Sequence, residues 1–348
     1  MLALTVRPLE PDSAELTEVP EPDPSDGEVL CQTLAVGVDG TDNEIVEGAY
    51  GVPPPGRDRL ILGHESLGRV LEAPASSGFV PGDLVVGYVR RPDPVPCESC
   101  AAGEWDMCRN GRYTERGIKE RDGFWSERFR IEPAFAVRAD PALGPLAVLT
   151  EPTSVVAKAW EHAERVAGRA SWRPRRVLVT GAGPLGLLGA MLAVQRGYQV
   201  DVLDVVDTGP KPRLARDLGA RYHAGGLDQA GGDFDLILEC TGAGPLVFHA
   251  LSHLALNGVL CLAGISGAGR ESRLPVDMLN RDLVLGNRAV IGSVNANARH
   301  YSQAAEALSA ADAGWLEHLV TRWVPLERWR EALERREGDV KTVIRLAS

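Results

Sequence analysis

From Pro174 onward the apolar positions fall into a regular alternation of short, fully apolar runs and longer segments of helical length. Arg176-Val-Leu-Val-Thr180 has the pattern of a short buried strand, and 185–196 that of a helix. Gln199-Val-Asp-Val-Leu203 predicts the next strand and 213–218 the next helix; Phe234-Asp-Leu-Ile-Leu238 and Gly258-Val-Leu-Cys-Leu262 supply two more strands. Arg288-Ala-Val-Ile-Gly292 continues the strand pattern, and an amphipathic helix follows over 301–311. Strands alternating with helices imply βαβ units and a parallel sheet. The first 150 residues read differently. Met1-Leu-Ala-Leu-Thr-Val6, Glu28-Val-Leu-Cys-Gln-Thr-Leu34 and Asp83-Leu-Val-Val-Gly-Tyr-Val89 are short strands between turns such as Val52-Pro-Pro-Pro-Gly56 and Pro81-Gly82. A helical period then sets in over 153–166.

The apolar stretch 177–194 approaches the length of a membrane span, but Gly181, Gly183, Pro184, Gly186 and Gly189 interrupt it, so strand, turn and helix is the better reading. A chain of 348 residues is long enough for two cores, and its 44% hydrophobic and 24% charged residues are ordinary for a globular protein. Its 48 acidic residues outnumber 37 basic ones, for a formal charge of −11, and no basic cluster interrupts them. That balance argues against nucleic acid and against an anionic membrane surface as partners. The N-terminal run lacks the charged start and long apolar core of a secretory signal, so a cytoplasmic location is expected. In that setting Cys97, Cys100 and Cys108 are a metal candidate more than a disulfide set; Cys31, Cys240 and Cys261 sit singly in apolar runs, as small buried side chains do.

Gly181-Ala-Gly183-Pro184-Leu185-Gly186 follows one predicted strand and opens a helix. Gly181 permits the tight turn, Gly183 lets backbone approach a pyrophosphate, and Gly186 allows helix and strand to pack closely; the helix N-terminus offers free N–H groups to the anion. Asp204 ends the next strand, where a carboxylate can accept hydrogen bonds from an adenosine ribose. Val205, Val206 and Asp207 offer no positive charge to a 2′-phosphate, which favours NAD over NADP, although Lys211 and Arg213 follow closely.

Gly37-Val-Asp-Gly-Thr-Asp42, Gly63-His-Glu-Ser-Leu-Gly68 and Thr150-Glu-Pro-Thr-Ser154 carry potential metal ligands. Singly, each has a plainer reading: a turn aspartate, a core histidine, a helix-capping glutamate. Together they resemble the zinc-containing medium-chain dehydrogenases. Gly63-His64-Glu65 with Gly68, Val70, Val80, Gly82, Asp83 and Val85 looks like that family's zinc signature almost position for position. Gly40-Thr41-Asp42, Glu115-Arg-Gly-Ile118 and Gly292-Ser-Val-Asn295 look most like its glucose (sugar) dehydrogenase branch.

The resemblance implies a mainly β, GroES-like catalytic domain over 1–155, a Rossmann NAD-binding domain with a doubly wound parallel sheet over 156–294, and a return to the catalytic domain over 295–348. It implies a catalytic zinc held by Asp39, where most members have cysteine, with His64, Glu65 and Glu151. Thr41 would hydrogen-bond the reacting hydroxyl, and Glu115 and Asn295, with Thr41 and Glu151, would bind the sugar. The family's relay histidine falls at Glu44. Carboxylate in place of thiolate makes the site harder and more open to other divalent ions. Cys97, Cys100 and Cys108 match a structural zinc lobe whose first cysteine falls at Pro94, with Asp93 as a possible substitute. The expected activity is hydride transfer between a secondary hydroxyl of a sugar, cyclitol or polyol and a nicotinamide cofactor, in a homodimer or homotetramer. A metal-free quinone or enoyl reductase and a non-catalytic nucleotide-binding sensor are the rival readings.

Overall fold

The structure is a computed structural model describing residues 1–267 and 275–346. The chain divides into two compact units, Met1–Ser154 with Asn295–Ser348, and Val155–Val294.

In the second unit six parallel strands run in the order Arg221–Ala224, Gln199–Asp204, Arg176–Thr180, Phe234–Glu239, Leu254–Leu262, Ala289–Gly292. The first strand is central and the order reverses beside it, the arrangement of doubly wound dinucleotide-binding sheets. Leu178, Leu203, Phe234, Ile237 and Leu260 fill one side of the sheet. Helix Pro184–Gln195 is buried without interruption from Gly186 to Ala193, which accounts for the long apolar run. Among the described residues no helix is long and apolar enough to cross a membrane. Strand Arg221–Ala224 and helices Gly244–Ala250 and Val276–Gly286 are not predicted by the sequence pattern. In the last of these Val276, Met278, Val284 and Leu285 are exposed, so no clean apolar stripe marks the helix.

In the first unit Leu2–Val6 pairs with Glu15–Glu18 and Leu60–Ile61. The main sheet runs Ala136–Arg138, Leu84–Gly87, Glu65–Glu72, Val29–Val38, Thr342–Arg345, Arg322–Pro325, with Arg128–Ile131 also on Val29–Val38. Its core includes Leu4, Val29, Cys31, Val70, Phe124, Trp125, Phe129 and Ile344. Burial pushes the Cys31 thiol up to about 12, as it does Cys261 in the other unit, so both act as small core side chains. Register decides what meets at one end of this sheet. Gly37 lies opposite Glu65 and Val38 opposite Thr342, so Asp39, His64 and Lys341, each just beyond a strand, are brought together.

Candidate active site

Asp39 is the N-cap of helix Gly40–Val46. Its Oδ1 accepts the amides of Thr41 at 2.8 Å and Asp42 at 3.3 Å, while Asp42 Oδ2 accepts the Asp39 amide at 3.0 Å. This capping box fixes the carboxylate and leaves Oδ2 facing His64 Nε2 at 3.4 Å, with the Thr41 hydroxyl also 3.4 Å from Oδ2. The other imidazole nitrogen faces the fully buried Asp42, with Nδ1 3.6 Å from Oδ1. Burial opposes a charged His64, but the Asp39 and Asp42 carboxylates outweigh it and raise the ring well above its ordinary range. Gly63 has φ +87°, and a Cβ there would sit 1.8 Å from Trp125 Cδ1, so the turn that presents His64 requires glycine.

Glu65 points at Lys341, whose Nζ is 2.7 Å from Oε1 and 2.5 Å from Oε2 and also donates to Val38 O at 2.9 Å. Both side chains are almost fully buried. Glu151 lies in the first turn of helix Thr150–Ala167; burial, opposed by His64 and reinforced by the charges of Glu65 and Asp39, lifts its carboxyl to about 8. Asp39, His64 and Glu65 present ligand atoms within 4.8 Å of one another. The neighbourhood therefore sets the carboxyls of Asp39, Asp42, Glu65 and Glu151 against one lysine and one imidazole, a surplus that favours a cation. Two ligands of a tetrahedral zinc stand about 3.3 Å apart. The 3.4 Å between Asp39 Oδ2 and His64 Nε2 fits that separation and is long for a hydrogen bond.

Glu115 and Asn295 meet: Asn295 Nδ2 donates to Glu115 Oε1 at 2.9 Å. The same oxygen accepts Arg90 Nε at 3.0 Å and Nη2 at 2.9 Å. Arg90 donates further to Asp106 O, and its guanidinium stacks 3.7 Å from the Tyr113 ring centroid. Three donors on one oxygen leave Oε2 of a buried carboxylate outside this cluster. Asn295 is held at φ +63°. Glu44, at the relay position, is exposed.

The thiols of Cys97, Cys100 and Cys108 lie within 4.8 Å of one another. The amides of Arg109 and then Cys100 lower Cys97 to about 6, which favours a thiolate, whereas burial raises Cys100 to about 11. Asp93 is not available as the fourth ligand. Its carboxylate accepts the Val95 amide at 2.9 Å, Asn110 Nδ2 at 2.8 Å and Arg112 Nε at 3.2 Å, so it clasps the loop.

In the second unit Gly181 has φ +87°, and a Cβ on Gly186 would fall 1.8 Å from Gly181 O, so turn and helix start require both glycines. Gly183 caps helix Pro184–Gln195, with Pro184 and Leu185 in its first turn. Among the described residues no atom lies within 4 Å of a Cβ built there, so internal packing does not demand glycine and the free space suits a ligand's approach. Asp204 stands beside the turn, as expected, but its carboxylate is engaged. Oδ2 accepts the Ala182 amide at 2.7 Å and Lys211 Nζ at 3.3 Å, and Oδ1 accepts the Val206 amide at 3.1 Å. Lys211, one of the two basic residues that follow the strand closely in sequence, lies against this carboxylate and offsets its charge.

Residues 144–346 match the family described as glucose dehydrogenase C-terminus, and residues 25–141 the alcohol dehydrogenase GroES-like domain. Glucose 1-dehydrogenase of Thermoproteus tenax is 41% identical over 355 residues, covering 99% of each chain. That of Methanocella arvoryzae is 37% identical over 359 residues, covering 100% of each. The chain belongs to the zinc-containing medium-chain dehydrogenases, in their glucose dehydrogenase branch. Among solved structures, the Haloferax mediterranei glucose dehydrogenase in complex with NADP, Zn and gluconolactone superposes with a TM-score of 0.91 at 34% identity, covering 100% of each chain.

This membership makes the chain a zinc-dependent, nicotinamide-linked sugar dehydrogenase and sets aside the metal-free reductase and the sensor. In a dehydrogenase of this family the partners of the ligands matter as much as the ligands. Three of them escape the sequence reading. Asp42 is legible as the second acid of an Asp-x-x-Asp capping box, although its contact with His64 is not. Arg90 and Lys341 give no local signal, because each reaches its carboxylate only through strand pairing.

Proposed function

We propose that this dehydrogenase oxidises an aldose at its C1 hydroxyl to the lactone, with a glucose-like ring as the preferred substrate. The observation carrying the reading is the meeting of Asp39 and His64 at 3.4 Å inside an acid-rich pocket of the first unit. Asp39 and His64 would hold the zinc with Glu65 or Glu151 as the third ligand; Glu65 accepts Lys341 through Oε1, and its buried Oε2 has no hydrogen-bond partner among the described residues, so the carboxylate stays close to Asp39 and His64. When bound, zinc supplies a Lewis acid that lowers the pKa of the sugar hydroxyl. Thr41 orients that hydroxyl, its own hydroxyl being steered by Asp39. The C1 hydride passes to a nicotinamide whose pyrophosphate rests on Gly181, Gly183, Pro184, Leu185 and Gly186, and the hydroxyl proton leaves to solvent. Sugar hydroxyls bind Glu115 and Asn295, which Arg90 holds in place. The glucose 1-dehydrogenase relatives and the gluconolactone complex support this choice of substrate.

A panel of aldoses, cyclitols and polyols assayed for reduced nicotinamide tests it. Glucose or a close epimer is expected to give the highest kcat/KM; a cyclitol or open-chain polyol at the top of the panel would refute the aldose reading. Glu115→Ala and Asn295→Ala are each expected to raise KM for the best sugar about tenfold or more, with zinc content and cofactor binding unchanged. Normal KM in both variants removes these residues from the sugar site.

For the cofactor, both NAD and NADP are accepted, and Asp204 and Lys211 set the balance. The carboxylate suits the ribose diol of NAD, and the lysine beside it suits the 2′-phosphate of NADP. Lys211→Ala is expected to move the kcat/KM ratio toward NAD about tenfold, and Asp204→Ala to move it toward NADP. An unchanged ratio in both variants would sink this assignment.

A further inference from the structure

The second unit carries a cluster unrelated to the nucleotide turn. Asp228 lies in the turn Leu227–Gln229, His249 on helix Gly244–Ala250, and His253 in the turn Leu251–His253 that follows it. Leu254 then begins the next strand, and Phe234 begins the strand beside it, in register with Leu254. The cluster therefore sits at the amino ends of the parallel strands. The glycine-rich turn follows Thr180, at their carboxyl ends.

The hydrogen bonding of His253 decides what this cluster can hold. Its Nδ1 contacts the Gly231 carbonyl. A carbonyl only accepts, so Nδ1 carries the proton, and in the neutral ring Nε2 is a bare lone pair. That lone pair faces Asp228 Oδ1 at 3.6 Å, and His249 Nε2 faces the same oxygen at 3.8 Å. The His253 lone pair and the Asp228 carboxylate, two acceptors turned toward one another, repel unless a positive charge lies between them. A shared proton would draw the atoms to about 2.8 Å, whereas ligands on one tetrahedral zinc stand about 3.3 Å apart. The observed spacings of 3.6 and 3.8 Å are too long for a shared proton and leave room for an ion among the three atoms. The three ligand atoms lie within 4.8 Å of one another. The two imidazoles are four residues apart, so they project from the same side of the chain, with ring centroids 5.2 Å apart. The Gly231 carbonyl, by accepting the Nδ1 proton, fixes ring and tautomer for a metal on Nε2.

We propose that Asp228, His249 and His253 form a second metal site, for a borderline divalent ion of the zinc class, separate from the catalytic centre. Two imidazoles and one carboxylate suit zinc or nickel over calcium or magnesium, which prefer oxygen ligands alone. With three protein ligands, water completes the coordination. The site is structural, since it ties the turn Leu227–Gln229 to the turn that starts strand Leu254–Leu262. His253 is buried, whereas the His249 and Asp228 side chains are 52% and 85% exposed, so an ion can enter without unfolding.

The experiment is a zinc titration of the holoenzyme against a chromophoric competitor, in wild type, His249→Ala and Asp228→Asn, repeated with nickel. His249 is exposed, so its removal leaves the core intact. The expected result is one zinc fewer per chain in His249→Ala, or an affinity for that ion lowered by more than the 10–100-fold typical of losing a second-shell partner. Dehydrogenase activity should be unchanged, and zinc should raise the Tm of wild type but not of the variant. Subtracting the variant from the wild type removes any ion on the cysteine lobe from the count. Equal zinc counts and affinities within twofold in wild type and His249→Ala would overturn the proposal.

Discussion

Stripped by a chelator, the enzyme will lose its activity, and added zinc will restore it. The pocket around His64 gathers more buried carboxyls than one lysine and one imidazole offset, which favours a bound cation, and without a Lewis acid a sugar hydroxyl holds its proton far above neutral pH. Removing the ion or its imidazole ligand, in His64→Ala, is expected to lower kcat/KM by about 10³-fold. Asp39 is the sharper test, because it does two jobs. As the N-cap of helix Gly40–Val46 it contributes about 1 kcal/mol, and asparagine caps as well as aspartate. Asp39→Asn should therefore keep its thermal stability while losing zinc and activity together. Asp39→Ala should lose stability as well, and Asp39→Cys should retain the ion. Full activity in protein shown by elemental analysis to hold no divalent metal would end the mechanism. Full zinc and activity in Asp39→Asn would reduce Asp39 to a cap.

Lys341→Met will be the most destabilising substitution at the site. It leaves the Glu65 carboxylate buried without its cation, and breaking a buried pair from one side costs about 3–5 kcal/mol. The double variant Lys341→Met with Glu65→Gln should recover much of that loss, since no unpaired charge remains. Denaturant unfolding of zinc-free protein measures both. A loss below about 1 kcal/mol in the single variant would mean that water reaches Glu65 and the pair is not truly buried.

Most of the parallel sheet is legible because its strands, Arg221–Ala224 apart, are largely apolar runs, and Arg176–Thr180 and Gln199–Asp204 fall where the pattern puts them to within a residue. The glycine-rich turn was legible for the same local reason. What escaped is non-local. The sequence pattern places Asp204 at a strand end, but the amide of Ala182 and the amine of Lys211 reach it only in the folded unit. Glu115 and Asn295 are each singled out by resemblance alone, and nothing local to either predicts a hydrogen bond between residues 180 positions apart. Helix Val276–Gly286 escapes because four of its apolar side chains, Val276, Met278, Val284 and Leu285, are exposed beside Leu279 and Leu283, which pack on the core, and this blurs the periodicity.

The register that sets Val38 opposite Thr342 also dictates an order of events as the chain is made. Glu65 emerges before the inserted unit and its counter-ion after it, with the whole of Val155–Val294 between them. The inserted nucleotide-binding unit has its own sheet and core and can consolidate while the chain is still growing. The flanking unit cannot: until the strand Thr342–Arg345 docks, it lacks a central strand of its main sheet and holds an uncompensated acid beside its metal pocket. Closing that strand is a long-range step that follows synthesis of the inserted unit, so the nascent enzyme acquires a finished cofactor platform before it acquires a finished place for its metal.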